Sequence, residues 1–232
     1  HRFKDDNSIL WKGKTDWENY KKIVSHVIND YFMQPNYFKI DGKPVISVYK
    51  LTNLIATFGN ITEARKGLDY FRDEVKKAGF PGLHIQQIAD APTQALYDQA
   101  KALGLDSFTE YNWGGPHPQD YIQWASRGTG RYAQWEKYDI PYFPNVAIGW
   151  DNTPRFPKVG KEDVIHYNNT PQSFAAFLLR AKQYADAHPQ QTKLITIYAF
   201  NEWVEGAYLL PDAKYGYGYL EAVRDVMTGK FK

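Results

Sequence analysis

Two glutamates three residues apart, in Asn201-Glu202-Trp203-Val204-Glu205-Gly206, are the groups in this chain best suited to chemistry. A pair of carboxylates can divide the work on one glycosidic bond, one protonating the leaving oxygen while the other acts as base or nucleophile. An amide and an indole stand beside them. The spacing leaves the geometry open, because residues i and i+3 meet on a helical turn and diverge in extended chain. The bland reading is a pair of solvated loop acids.

What must position the pair is the run before it. Leu194, Ile195, Ile197, Tyr198 and Phe200 are β-branched, aromatic or apolar, which is how a buried parallel strand over 194–200 reads. The acids then sit at a strand's C-terminal end, the edge where parallel α/β folds bind ligands. The rest of the chain alternates in the same way. Helical periods run over 16–32, 63–77, 92–103, 174–184 and 217–227, with a weaker one over 119–138. Strand patterns fall at 45–49, 83–88, 106–111 and 142–148, and Asp41-Gly42 marks a tight turn before the first of them. Strand alternating with helix predicts crossover connections and a parallel sheet. No linker divides the chain, so residues 1–232 read as a single domain. At about 45 residues per unit the length holds five β/α units, which suggests an α/β fold of the (β/α)8 barrel type represented by its last five units. An independent five-stranded doubly wound sheet is the alternative.

If the strands are parallel, the segments that follow them converge on one rim. They bring Tyr49, Gln86 and Gln87, Glu110, Tyr111, Asn112 and Trp113, then Trp150, Asp151 and Arg155, and finally Asn201, Glu202, Trp203 and Glu205. Tyr49, Tyr111, Asn112, Trp113, Trp150, Asp151, Arg155, Asn201 and Trp203 are the residues expected to hold ligand. Two acids have bland readings: Asp151 capping a turn through Asn152-Thr153, and Glu110 as a buried, paired strand acid. Aromatic residues make up 16% of the chain, beyond what a compact core needs; a sugar's C–H faces stack on such rings, although a ring-rich core explains them as well.

Several classes are disfavoured. A net charge of +2 without a basic cluster marks no nucleic-acid partner. No apolar run approaches bilayer length. There are no cysteines, hence no disulfide or thiolate site. No histidine pair has metal spacing and no glycine-rich nucleotide fingerprint is present, so neither metal nor cofactor is expected. His84 reads as a core histidine, and His117, between two prolines in a rim loop, as the one with a functional claim. A chain that opens His1-Arg2-Phe3 reads as a cleaved or cropped piece, so an export signal and a periplasmic or cell-surface location stay open. Oligomeric state is not legible.

Three motifs together resemble a known family: Asp41-Gly42-Lys43-Pro44 before a strand, Gly149-Trp150-Asp151-Asn152-Thr153-Pro154-Arg155, and Asn201 to Gly206 followed by Leu210-Pro211-Asp212 and Gly216-Tyr217-Gly218-Tyr219-Leu220. The chain resembles the WbsX-like family, related to glycoside hydrolase family 99 with its endo-α-mannosidases, from about Trp11 to Arg224. The resemblance implies a (β/α)8 barrel whose last strand delivers two acids, here Glu202 and Glu205. It implies that Glu202 deprotonates the sugar 2-hydroxyl, which attacks the anomeric carbon, and that Glu205 acts first as acid and then as base. The hydrolases typically carry His before the second acid, where this chain has Val204. A retaining, substrate-assisted glycosidase acting on glycans or polysaccharides is the leading expectation. A glycosyltransferase-like role in surface polysaccharide synthesis and a non-catalytic glycan binder are the alternatives.

Overall fold

The computed structural model describes residues 15–114, 120–155 and 165–231, so His117 and the N-terminal residues His1 to Lys14 lie outside the described residues. The chain divides into two compact units.

The first takes in the described residues of His1–Ile46, with Lys50–His84 and Ala102–Gly104. Helix α1 (Trp17–His26) starts at Asp16, whose carboxylate accepts from the Asn19 amide at 2.7 Å, and it runs on through a π-helical turn, Val27–Phe32. Strands β1 (Lys39–Ile40) and β2 (Lys43–Tyr49) form an antiparallel hairpin around Asp41-Gly42. Both turn residues have positive φ, +50° and +75°, the backbone that makes Asp-Gly a favoured two-residue turn. A helix not expected from the sequence follows, α2 (Leu51–Phe58), and then α3 (Ile61–Lys77), capped by Asn60. Val24, Phe32, Leu68, Phe71 and Val75 are its buried centre, with Phe32 and Phe71 stacked at 5.9 Å.

The second unit carries the parallel strands. The end of β2 (Ser47–Tyr49), then β3 (His84–Ala89) and β4 (Ser107–Glu110) are neighbours in that order. β3 and β4 pair in parallel from Gln86↔Ser107 to Ala89↔Glu110. The next segment continues the pattern: Phe108 N–H donates to Pro141 C=O and Phe143 N–H to Phe108 C=O, both at 2.8 Å. β5 (Asn145–Val146) then pairs in parallel with β6 (Thr196–Ile197). Helices α5 (Tyr121–Thr129), α6 (Tyr132–Trp135), α7 (Pro171–Ala187) and α8 (Gly218–Met227) belong to this unit, and α4 (Gln94–Leu103) begins in it. α7 has the strongest start signal, with Thr170 and Ser173 forming a reciprocal capping box and Pro171 in the first turn.

The expectation of a wholly parallel sheet is corrected at two places. β1 with β2, and β7 (Asn201–Glu202) with β8 (Ala207–Tyr208), are antiparallel, because a connection of two or four residues cannot make the crossover that parallel strands need. The aromatic surplus goes largely into the core of the second unit. Trp113, Tyr121, Trp124, Tyr132, Trp135, Phe174 and Phe177 are all buried.

Candidate active site

The acids are carried on a hairpin. After β6 the chain passes through Tyr198, Ala199 and Phe200 into β7, turns through one 3-10 turn (Trp203–Glu205) and returns as β8. The reversal needs Gly206. Its φ is +60°, and a Cβ there would lie 2.6 Å from Cβ of Asp151, so neither the backbone nor the space admits a side chain. The same close approach fastens a second loop to the hairpin: Asp151 N–H donates to Glu205 C=O at 2.8 Å.

That loop delivers the counter-charge. The Asp151 carboxylate accepts from Thr153 N–H at 2.8 Å, and Arg155 N–H donates to Asn152 C=O at 3.0 Å, which coils 151–155 back toward the acids. Arg155 Nη1 lies 2.8 Å from Glu205 Oε1, and Nη2 lies 3.9 Å from Glu202 Oε1. One guanidinium therefore lies within ion-pair distance of both carboxylates. They differ in access, since the Glu205 side chain is only 8% exposed and that of Glu202 is 42%.

Tyrosines from earlier strands complete the site. Tyr198 donates its hydroxyl to Glu205 Oε2. The Tyr111 hydroxyl is 3.4 Å from that of Tyr198, their rings meet edge-on at 4.8 Å, and Tyr49 packs against Tyr111 at 4.9 Å. Trp150 lies 6.0 Å from Tyr198. The result is a strip of rings, Tyr49, Tyr111, Tyr198 and Trp150, contributed by the C-terminal ends of β2 and β4 and by the chain just beyond β6 and β5. Burial raises the Tyr111 phenol above its ordinary value, and the nearby charges of Glu205 and Glu202 add to the effect. A polar row lies deeper in the sheet, where Thr109 and Thr196 hydroxyls meet at 2.6 Å and Asn145 Nδ2 donates to Thr196 Oγ1 at 3.0 Å.

The sequence-selected residues thus separate. Glu202, Glu205, Arg155, Tyr49, Tyr111 and Trp150 come together. Trp113 is corrected: it is wholly buried, its indole N–H donates to Asn145 C=O at 3.1 Å, and it packs edge-on against Trp124, so no ligand can reach it. Asn112 and Asp151 spend a side-chain oxygen on the local turn, Asn112 by accepting from Gly114 N–H. Asn201 is exposed on β7, and Trp203 is half-exposed and stacked on Tyr208 at 4.3 Å. Glu110 follows its bland reading, fully buried against Arg131 and Trp135. Sequence reasoning missed Tyr198. The period of two from Thr196 to Tyr198 was the available signal, since both side chains turn to the face that carries the acids. Among the described residues no cluster of His, Asp and Glu could hold a metal ion, and no helix is long and apolar enough to cross a membrane.

The family model described as glycosyltransferase WbsX matches residues 1–131 and 117–223. Two proteins named WxcX, from two strains of Xanthomonas campestris pv. campestris, are each 27% identical to the chain over 222 residues, 89% of this chain and 30% of theirs. The chain therefore spans less than a third of the length of the curated relatives it matches. The GH99 endo-α-mannosidase of Bacteroides thetaiotaomicron has a similar structure, with a TM-score of 0.64 at 14% identity over 96% of this chain and 64% of that one. A glycoside hydrolase-like protein has the same TM-score at 15% identity, over 95% of this chain and 63% of the other. At such identities the likeness is one of fold: this is an α/β fold of the GH99 type.

Proposed function

This chain belongs to the glycosyltransferase WbsX family, and from that premise we propose that it is the acid-bearing part of an enzyme that cleaves glycosidic bonds in a glycan or polysaccharide with retention of configuration. The observation that carries the reading is the single guanidinium of Arg155 set against both Glu202 and Glu205 beside a strip of sugar-sized rings. Stacking on Tyr49, Tyr111 and Trp150 would orient a pyranose, and Arg155, with Asn201 and Trp203 at the exposed edge, would complete its binding.

In the first step the Glu202 carboxylate takes the proton of the sugar 2-hydroxyl as O2 attacks the anomeric carbon. The bond to the leaving oxygen breaks, and Glu205, which enters this step protonated, gives that oxygen its proton and becomes the carboxylate that Arg155 and Tyr198 hold. In the second, Glu205 takes a proton from water as the water oxygen attacks the anomeric carbon; the C1–O2 bond opens, and O2 recovers its proton from Glu202. Two displacements at one carbon return the original configuration. The resemblance to endo-α-mannosidases makes α-mannosides the first substrates to try, and the same reading takes the parallel strands as part of a (β/α)8 barrel.

The test is the anomeric form of the first product, followed by proton NMR on α-mannosides and bacterial surface glycans, with the intact protein. Retained configuration, and a first step abolished in Glu202→Gln, are expected. An inverted product would overturn the two-step scheme. The family's description favours one second reading, transfer of a sugar from an activated donor to a surface polysaccharide, which consumption of a nucleotide sugar would establish.

A further inference from the structure

A hollow of about 280 Å³ opens at the opposite end of the parallel strands from the acids. It lies where the segment Pro141 to Tyr142 leads into β5, between the turn after α6 and the C-terminal end of α7. Its walls are rings. Trp135 and Tyr142 stack at 4.9 Å with planes 5° apart, Tyr184 meets Tyr142 edge-on at 5.8 Å, and Tyr138 stands beside Trp135 at 6.2 Å.

Polar groups are set among these rings with capacity to spare. The Tyr138 hydroxyl and Gln191 Oε1 are buried with no hydrogen-bond partner among the described residues, and both residues line the hollow. Such groups are normally satisfied, so two on one small cavity mark places where a ligand can supply the missing bonds. His188 is oriented by its contact with Tyr184 C=O, which accepts from Nδ1 at 2.7 Å, leaving Nε2 3.5 Å from Glu136 Oε1.

The charges at the rim select the class of ligand. Glu136 and Asp139 line the hollow, which disfavours an anion. Lys101 is paired with Asp139 at 2.9 Å, and His188 Nε2 lies 3.5 Å from Glu136 Oε1, so each of these two acids already faces a basic side chain of the protein. The half-buried Tyr184 ring for a C–H face, unmet acceptor and hydroxyl groups, and acids that already have partners suit a neutral polyhydroxylated ring. The volume is at the small end for ligand sites, room for one such ring.

We propose that this hollow binds a single neutral sugar residue of a glycan, as a second site remote from the acid pair. It does not depend on Glu202 and Glu205 being catalytic. Titration of the intact protein with a panel of neutral monosaccharides, read by saturation-transfer NMR and calorimetry, tests it. At least one sugar should bind, and binding should weaken about tenfold in Tyr138→Phe, which removes one hydroxyl. Gln191→Ala, at a partly exposed position, should show the same loss and guards against misfolding of the first variant. Glu205→Gln should leave this binding unchanged. The proposal fails if no sugar in the panel binds, if binding is lost in Glu205→Gln but kept in Tyr138→Phe and Gln191→Ala, or if acetate or tetramethylammonium binds more tightly than every sugar.

Discussion

Glu110 and Glu205 are dressed alike and placed differently. Each is a buried glutamate beyond or at the end of a parallel strand, and each accepts from one arginine and one aromatic side chain. For Glu110 these are Arg131 at 2.8 Å and the Trp135 indole at 3.2 Å; for Glu205, Arg155 at 2.8 Å and the Tyr198 phenol. Arg131 is itself largely covered and also donates to Trp113 C=O, so that whole group is sealed among tryptophans. Arg155 is 41% exposed and extends to a second, accessible acid. Partners and burial do not tell these two glutamates apart. The face of the strand does, because Tyr111, one residue beyond Glu110, turns to the opposite side and joins the ring strip.

The sharpest way to break this comparison is to remove one carboxylate charge at a time. Glu205→Gln should lower glycan turnover by about 10³-fold, within the range general acid–base catalysis supplies, with no more than a small change in thermal midpoint. Unimpaired turnover would place the chemistry elsewhere. Glu110→Ala should act the other way round, costing about 3 kcal/mol in denaturant unfolding, since Arg131 would keep a buried charge without its partner. A stable variant with lost turnover would erase the distinction. Tyr198→Phe removes one hydroxyl from the Glu205 side alone and should lower kcat by about tenfold, with KM and stability nearly unchanged.

The smallest effect is in pH dependence. Burial pushes the Glu110 carboxyl above its ordinary value, against the opposing pull of Arg131 and Trp135. The folded chain therefore holds this proton more tightly than the unfolded chain does. The contribution to stability is complete below the ordinary carboxylate value of about 4.3 and is lost as pH rises through the folded value. Glu110→Gln, which cannot lose a proton, should flatten that part of the stability profile. A profile identical to the parent's would count against a shifted Glu110.

Much of the site was legible because its residues lie in short runs with turn chemistry of their own. Asn201 to Gly206 and Gly149 to Arg155 could be read as rim segments from the strand patterns before them, and Asp41-Gly42 as a turn. Trp113 could not be placed, since outside regular structure no period tells which way an indole points. Tyr198 was hidden for the opposite reason, looking like one more strand aromatic. Helix α2 carries apolar residues at 51, 54, 55 and 58, a helical spacing, but it follows a strand directly through Lys50 in a left-handed conformation, without a side-chain cap to announce it. The strand pattern over 194–200 was sound in kind, but only Thr196–Ile197 pairs as a strand, because β5 offers it only two residues.

The single peptide N–H by which Asp151 holds Glu205 has a consequence for how such a site can be altered. Anything that reshapes the segment from Gly149 to Arg155 pulls at once on the acid's backbone and on the cation opposite it. Charge balance and acid position are thus inherited together, and an engineer wishing to retune one would have to transplant the loop and the hairpin as a single cassette.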